Sequence, residues 1–233
     1  MDPRPVTTNA AAGGTSKHEA VYSTLRQRIL EGRYGPGSNL VLARIARDLQ
    51  VSPVPVREAI RRLEAEGLVT FERNVGARVA ILDDDAWDEL VEMLALLDGY
   101  AVRQAKPHLT ADTLAQAAAL NDALRRQLTD GIDNHTVMRL HRQFHRTIYA
   151  HAKNTHLIDA LDQTWDRIDA SRVMVELYPA KRLASAVDEH DEFLRRLQQP
   201  DITGDALEKF TRWHNLNAAT VLRNGPGQGA YVR

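Results

Sequence analysis

The chain has 233 residues, of which 43% are hydrophobic, 26% charged and 6% aromatic, and it contains no cysteine. This length accommodates one large domain or two modest ones with a buried core. The lack of cysteine excludes a disulfide scaffold, a thiol nucleophile and any cysteine-based metal site. No apolar run approaches the roughly 20 residues that span a bilayer. Residues 1–16 lack the layout of a signal peptide and are expected to form a disordered polar tail. We therefore expect a cytoplasmic protein without membrane association.

Charge is distributed unevenly along the chain. The net charge is only −1, but residues 17–80 hold 11 Lys and Arg against 7 Asp and Glu, whereas residues 81–233 hold 18 against 23. A basic N-terminal part followed by an acidic remainder of the chain is compatible with nucleic-acid binding by the N-terminal part alone. Ordinary solvated surfaces also produce differences of this size, so charge alone is weak support.

Apolar periodicity predicts three helices at the start of the chain. A helical spacing begins at Lys17 and ends at Gly32. A second, short helix carries the apolar residues Leu42, Ile45, Ala46 and Leu49. A third helix opens at Ser52-Pro53, where the serine suits the N-cap and the proline suits the first turn, and it ends at Gly67.

After Gly67, apolar residues recur at every second position instead of at helical spacing. Residues 68–71 and 77–81 alternate around a turn-forming stretch at 73–76, which predicts a β-hairpin. Three short helices followed by a hairpin predict a winged helix-turn-helix domain over residues 17–82.

The rest of the chain is helical in pattern. An acidic connector, Asp83-Asp84-Asp85, precedes the next helix, and its last members are expected to cap that helix. The predicted helices are 85–106, 110–129, 133–152, 154–177, 180–199 and 203–223. Since Val/Ile-rich strand runs are absent, residues 83–223 are predicted to form an all-α bundle, followed by a flexible tail at 224–233. The predicted fold class is therefore mainly α.

The third helix is the candidate reader of DNA. The second helix of a helix-turn-helix motif enters the major groove with its N-terminal turn nearest the bases. A serine hydroxyl and an arginine in that turn can reach phosphates or base edges, and the hairpin tip is placed for a further contact. The candidate DNA-binding residues are Arg44, Ser52, Val54, Arg57, Arg73, Asn74 and Gly76. The alternative for each arginine is an ordinary solvated helix charge.

The same stretch resembles a known family. The residues that carry the resemblance are Ile29 to Gly32, Pro36 to Leu40, Ile45-Ala46 and Val51 to Val69, with their proline-valine-arginine-glutamate-alanine core and the following Leu-Glu-x-x-Gly-Leu. Over about residues 18–80 the chain resembles the GntR family of bacterial transcription regulators, which implies double-stranded operator DNA as a partner. Pro53 stands where this family often has arginine, so we expect an altered operator preference.

Four histidines are candidate metal ligands. His141 and His145 are four residues apart on one predicted helix, so both imidazoles can face one metal. His190 and His214 lie on two further predicted helices, and three helices could bring the four rings together. The alternative is that they are surface histidines or core histidines with hydrogen-bond partners.

The helical half resembles the FCD-type ligand-binding domain of the FadR-like branch of that family. The resemblance implies a divalent metal, commonly zinc, held by His145, His190 and His214. The place of the family's aspartate ligand is taken by His141. A neutral imidazole in place of a carboxylate favours Zn²⁺ or Ni²⁺ over Mg²⁺ or Mn²⁺. The other possibility is that three histidines alone hold the metal.

The resemblance also implies an effector pocket above the metal. A small organic acid is the expected effector, because a cationic metal with open positions binds carboxylate oxygens well. On the first bundle helix, Leu94 stands in the place of an arginine often found in the family and Asp98 in the acidic place. The candidate effector-binding residues are Asp98, Arg172 and Arg182, and the two arginines could equally be surface charges.

These features together predict a non-enzymatic, metabolite-responsive transcription regulator, repressor or activator, that binds a pseudo-palindromic operator as a homodimer. A zinc-dependent hydrolase is the alternative from another class. Against it, Arg142 stands where the zincin helix carries its general-base glutamate. A third possibility is a purely structural metal in a bundle that binds no effector.

Overall fold

The computed structural model describes residues 17–73, 75–171 and 180–224. The chain divides into two compact units, with the main boundary between Val79 and Ala80. Nowhere in these ranges does a helix have the length and apolar character needed to cross a bilayer.

The first unit is the predicted winged helix-turn-helix. It contains α1 (Lys17–Leu30), α2 (Leu42–Asp48), α3 (Pro53–Ala65), β1 (Val69–Glu72) and β2 (Gly76–Val79). The two strands pair antiparallel, with Val69 opposite Val79 and Glu72 opposite Gly76. Their inward residues and the apolar faces of the helices form the core of this unit, which includes Leu25, Ile29, Ile45, Val56, Ile60, Leu63, Leu68 and Val79.

The start of α3 differs in one detail from the sequence prediction. Ser52 occupies the N-cap position with an extended backbone, and Pro53 is the first helical residue, as predicted. The Ser52 side chain, however, makes no capping hydrogen bond. Since the side chain is also exposed, its hydroxyl stays available to an external group.

The second unit is the predicted all-α bundle. Its helices are α4 (Asp84–Ala105), α5 (Ala111–Asp130), α6 (Asn134–Tyr149), α7 (Thr155–Ser171), α8 (Ala180–Gln198) and α9 (Gly204–Asn224), with a short 3-10 turn at Lys106–His108. The end of the predicted helix 154–177 lies outside the described residues beyond Ser171. The cap of α4 is Asp83, whose carboxylate accepts from the backbone N–H of Ala86. The prediction that the last acidic residues of the connector form this cap is wrong, because those residues already lie inside the helix.

Gly99 brings α4 close to α9. A Cβ atom at this position would lie 2.9 Å from the carbonyl oxygen of Glu208 and 2.7 Å from the side chain of Arg212. The backbone carbonyl cannot move aside without shifting the helix. The absent side chain therefore sets the spacing between the helices that carry Asp98 and His214.

We expect Gly99→Ala to destabilise the protein by about 1–3 kcal/mol, because overpacking the α4–α9 contact outweighs the helix propensity that alanine adds. Urea unfolding monitored by circular dichroism measures the change. Glu92→Ala, at an exposed position of the same helix, is the matched control and is expected to change stability little. A Gly99→Ala protein as stable as the parent would contradict the close contact.

Candidate metal centre and nucleic-acid interface

The N-terminal turn of α3 has one face exposed to solvent and one face buried in the unit. Ser52, Val54 and Arg57 are exposed, while Pro55 and Val56 between them are buried. The apolar stripe of α3 thus fixes the helix in its unit and leaves the opposite face to solvent. That face carries a hydroxyl, an apolar side chain and a guanidinium, which are groups able to contact phosphates and base edges.

The arginines of this unit divide into paired and unpaired groups. Arg61 is paired with Glu58 at 3.2 Å, and Arg62 with Glu19 at 2.8 Å. In the hairpin, Arg78 donates to Asn39. Within the described residues, four other exposed arginines make neither an ion pair nor a side-chain hydrogen bond, namely Arg44, Arg47, Arg57 and Arg73. Guanidinium groups without an internal partner can neutralise phosphates with no ion pair to break.

Three of these unpaired arginines are predicted DNA contacts, and Arg47 was missed. Arg47 lies three residues after Arg44 on α2, a spacing that places the two on one helix face. At the hairpin tip, Gly76 has a φ of +101°, which L side chains rarely adopt, and Arg73 is exposed. The predicted contact Asn74 lies outside the described residues. The DNA contacts of all seven candidates stay predictions.

The second unit brings the four predicted histidines together. His141 and His145 project from α6, His190 from α8 and His214 from α9. All four are buried, and one ligand atom from each lies within 4.8 Å of the other three. Phe144 stacks on the His190 ring with a centroid separation of 3.8 Å, which fixes that ring in place. Three helices thus bring their histidine nitrogens together at one point in the bundle.

Two of the rings form hydrogen bonds at Nδ1, and a carboxylate oxygen lies close to Nδ1 of a third without forming a hydrogen bond. Nδ1 of His145 lies 2.9 Å from a carboxylate oxygen of Asp98, and Nδ1 of His190 lies 3.0 Å from Oδ1 of Asn121. His214 donates from Nδ1 to Glu189. Oxygen acceptors at Nδ1 favour the tautomer with the proton there, which leaves the Nε2 lone pair free. Metal-ligating histidines are typically oriented in this way.

The spacing of the free nitrogens fits a shared metal ion. Nε2 of His145 and Nε2 of His214 are 3.2 Å apart. Two nitrogens bound tetrahedrally to one zinc at 2.0–2.1 Å lie about 3.3 Å apart. Nε2 of His190 and both nitrogens of His141 are buried without a hydrogen-bond partner in the described part of the chain. An all-imidazole donor set of this kind suits Zn²⁺ or Ni²⁺.

Burial keeps three of the four histidines in the neutral form that binds metal. It lowers the pKa of His141 and of His190 well below the usual value, and the charges of neighbouring histidines lower both further. Burial also lowers the pKa of His214, to about 4, although Glu189 acts in the opposite direction. These rings are therefore neutral at pH 7, and their lone pairs are available without loss of a proton.

Two of the predicted effector-binding residues lie beside the cluster. Asp98 is fully buried and accepts from Asn215 at 3.0 Å in addition to facing His145. Arg182 is 1% exposed and makes two 3.0 Å hydrogen bonds to Glu189. Burial alone would raise the pKa of Glu189, but the bond from His214 and the charge of Arg182 lower it, so this carboxylate stays ionised. Both predicted residues thus support rings of the cluster.

Direct contact of Asp98 and Arg182 with an effector stays a prediction, and Arg172 lies outside the described residues. The supporting residues Asn121, Glu189 and Asn215 were missed. Glu189 is adjacent to a predicted ligand in the sequence, a signal that could have found it. Asn121 and Asn215 carry no comparable signal, because their roles depend on how α5 and α9 pack.

A small cavity of about 20 Å³ adjoins the cluster. Its walls come from α4, α6, α7 and α9, and His141 belongs both to the cavity and to the cluster. The lining residues are Trp87, Val91, Leu94, His141, Trp165, Ile168, Asn215 and Ala218. The bundle thus places a mainly apolar pocket beside the histidines.

The residue at the zincin general-base position has a structural partner. Arg142 pairs with Asp166 and with Asp169, each at 2.8 Å. The two carboxylates nearest the histidines, Asp98 and Glu189, are engaged with ring Nδ1 atoms. Nothing in the described geometry of the cluster supports the hydrolase alternative.

A winged helix-turn-helix unit followed by a helical bundle is the architecture of a DNA-binding transcription regulator. Residues 17–79 match the family described as "Bacterial regulatory proteins, gntR family", and residues 89–208 match the FCD domain. The chain belongs to the GntR family of bacterial regulators, with an FCD domain in its second unit. The predicted family is thereby confirmed.

Similar proteins agree with this assignment. The chain is 30% identical over 203 residues to the "Probable D-xylose utilization operon transcriptional repressor" of Paenarthrobacter nicotinovorans, covering 84% of this chain and 85% of that protein. It is 30% identical over 140 residues to the "Nta operon transcriptional regulator" of Aminobacter aminovorans, covering 60% of this chain and 65% of that protein. The match to YdhC of Bacillus subtilis, at 25% identity, covers 66% of this chain and 68% of that protein.

A solved structure shows the same fold. E. coli McbR/YncC superimposes with a TM-score of 0.76 at 22% identity, covering 92% of this chain and all of that chain. The fold of a winged helix-turn-helix followed by a helical bundle is thus shared with this solved structure.

Proposed function

We propose that this transcription regulator senses a small metabolite through a metal-containing site in its helical unit and changes its affinity for operator DNA in response. The observation that carries the proposal is the buried cluster of four histidines, three of them with Nδ1 close to an oxygen atom. A regulator that binds operator DNA would work in the bacterial cytoplasm.

His145, His190 and His214 would hold the metal, with His141 as a fourth donor. Zn²⁺ is the preferred ion and Ni²⁺ the second choice, because the donors are all imidazole nitrogens. When bound, the metal supplies a positive centre that attracts a carboxylate oxygen. Asp98, Asn121 and Glu189 keep the rings oriented, and Arg182 holds Glu189 in place.

DNA binding belongs to the first unit. Arg57 and Ser52 would contact DNA from α3, Arg44 from α2 and Arg73 from the hairpin, as predicted from the sequence. Two such units in a homodimer would read the two halves of a pseudo-palindrome. A metabolite changes operator affinity only if it binds two states of the regulator with different affinity.

Metal removal gives the first test. A ligand present at about 100 times its dissociation constant stabilises the folded state by about 2.7 kcal/mol, which for a chain of this size corresponds to roughly 5–10 °C in Tm. We expect dialysis against a strong chelator to lower the Tm of the metal-loaded protein by this amount and Zn²⁺ to restore it. A Tm that does not respond to chelation would contradict the proposed site.

The same samples separate a sensor from a structural metal. A thermal-shift screen of carboxylic acids is expected to find further stabilisation of the metal-loaded protein by particular acids. Stabilisation by metal with no response to any metabolite would instead indicate a structural metal and would overturn the sensing role.

A further inference from the structure

The solvent-exposed side of α4 carries three large apolar side chains at its middle. Met93, Leu96 and Tyr100 are between 38% and 49% exposed. Spacings of three and four residues place them on one face of the helix, opposite the residues that α4 buries in the bundle. Single exposed apolar residues are ordinary on a protein surface, but a continuous apolar stripe marks a surface that binds a partner.

The apolar stripe continues onto the neighbouring helix α9. Leu216 is 38% exposed, and it lies one turn beyond Arg212, whose side chain lies against Gly99 of α4. Met93, Leu96, Tyr100 and Leu216 together are called the outer apolar face. This face therefore spans two adjacent helices of the second unit.

Charged residues of opposite sign flank the middle of α4. Glu89 and Glu92 are exposed on the N-terminal side, and Arg103, the only basic residue of this helix, is exposed on the C-terminal side. Arg103 pairs with Asp205 of α9 at 2.6 Å and is still 47% exposed. Glu89 lies seven residues before Leu96, and Arg103 lies seven residues after it. Since seven residues make about two helical turns, the three lie on one face, with each charge about 10 Å from Leu96 along the axis.

We propose that the outer apolar face is covered by the same face of a second copy of the chain, with the two α4 helices antiparallel about a two-fold axis at Leu96. This inference rests on the homodimer proposed above and identifies its surface. A two-fold interface must be complementary to itself. About this axis Glu89 of each copy faces the partner's Arg103, and Met93 lies near the partner's Tyr100. The charge pattern of α4 thus complements itself only in the antiparallel arrangement.

The dimensions of the face also suit a second copy. A helix of 22 residues such as α4 is about 33 Å long. Two adjacent helices, each about 10 Å across, form a surface of roughly 33 by 20 Å. Stable interfaces bury roughly 800 Å² on each partner. Helices α4 and α9 together therefore supply a surface of about the size that a stable dimer needs.

Leu96→Glu tests the position of the axis. The change places two carboxylates against each other and is expected to raise the dissociation constant of the dimer by at least about 100-fold. Sedimentation velocity of the full-length protein without DNA, over a series of concentrations, measures this constant. Leu128→Glu changes an exposed leucine on α5, outside the outer apolar face, and is the matched control with the parent's dissociation constant. A Leu96→Glu protein that dimerises as tightly as the parent would overturn the proposal.

Reversal of the flanking charges tests the antiparallel arrangement. Glu89→Arg alone would face the partner's Arg103 and is expected to weaken the dimer about threefold or more at low salt. In an Arg103→Glu protein, the same change is expected to strengthen the dimer. The two residues are about 21 Å apart along one helix, so this reversal cannot arise within one chain. Loss of the pair between Arg103 and Asp205 is common to both members of the second comparison. The same direction of change in both backgrounds would overturn the proposal.

The oligomeric state of the parent separates this inference from the proposed function. If the parent and Leu96→Glu are both dimeric, the homodimer stands and the outer apolar face is the wrong surface. A parent that sediments as a monomer at every concentration would overturn both the surface and the homodimer, and would leave the face to a different partner. The metal-dependent sensing role is tested independently by chelation.

Discussion

Changing His145 and His190 together to alanine is expected to abolish metal binding. The double variant removes two nitrogen donors from different helices and leaves the acceptors at Asp98 and Asn121 without their rings. The metal content should fall from about one ion per chain to background, because the two remaining histidines cannot supply the three or four ligands that zinc sites use. Inductively coupled plasma mass spectrometry of the dialysed protein measures this directly.

The matched control is His156→Ala, which removes an exposed histidine from α7 in the same unit. It should retain the parent metal content and Tm. His141→Ala alone distinguishes a four-histidine from a three-histidine site, since only a fourth ligand would weaken metal affinity when lost. One ion per chain in the double variant would show that the ligand assignment is wrong.

Arg57→Ala is expected to give the largest loss of operator binding among single changes in the first unit. Its guanidinium is exposed on the N-terminal half of α3 and makes no internal ion pair in the described residues. Loss of a base contact costs about 1–3 kcal/mol, or roughly 5–150-fold in Kd, and loss of a phosphate contact reduces the salt slope by about one. A mobility-shift titration against a duplex selected by the protein from a random pool measures both effects.

Arg61→Ala is the control, because this exposed arginine lies one turn further along α3 and is already paired with Glu58 at 3.2 Å. It should change operator affinity far less than Arg57→Ala. Effector binding and metal content are expected to be unchanged in both variants. An Arg57→Ala protein with the parent's DNA affinity would contradict the assignment of α3 as the DNA-reading helix.

Much of the fold could be predicted because local patterns and tertiary packing agree. Val56, Ile60 and Leu63 repeat at helical spacing and are buried on one face of α3. Gly67, with a φ of +75°, ends the turn that follows. The change of period around residues 73–76 marked the hairpin. In each case the local pattern favours one type of secondary structure, so the sequence alone indicated the helix, the turn or the hairpin.

The clustering of the four histidines could be predicted, but their surroundings could not. The spacing of His141 and His145 predicts a shared face, and the family resemblance pointed to His190 and His214. The acceptors that orient the rings come from helices remote in sequence, since Asn121 and His190 are 69 residues apart. Such contacts depend on the rotation and depth of each helix in the bundle, which periodicity does not specify.

The cavity beside the histidines shows the same limit. Charged residues were predicted to contact the effector. In the structure, however, Asp98 lies against His145, and Arg182 donates hydrogen bonds to Glu189. Trp87 and Trp165 have the spacing of ordinary core residues, and only the unpaired indole nitrogens beside a cavity distinguish them. A buried donor without a partner is visible in three dimensions alone.

We propose that occupancy of the helical unit by an effector controls the affinity for operator DNA. The most direct test is the Kd for the selected duplex, measured by fluorescence anisotropy on the metal-loaded protein with benzoate, citrate and other carboxylates in turn. We expect at least one acid to change this Kd by about fivefold or more, the usual lower range of allosteric coupling, and the His145→Ala/His190→Ala protein not to respond. A Kd that is the same with every acid, or a response that persists in the double variant, would contradict it.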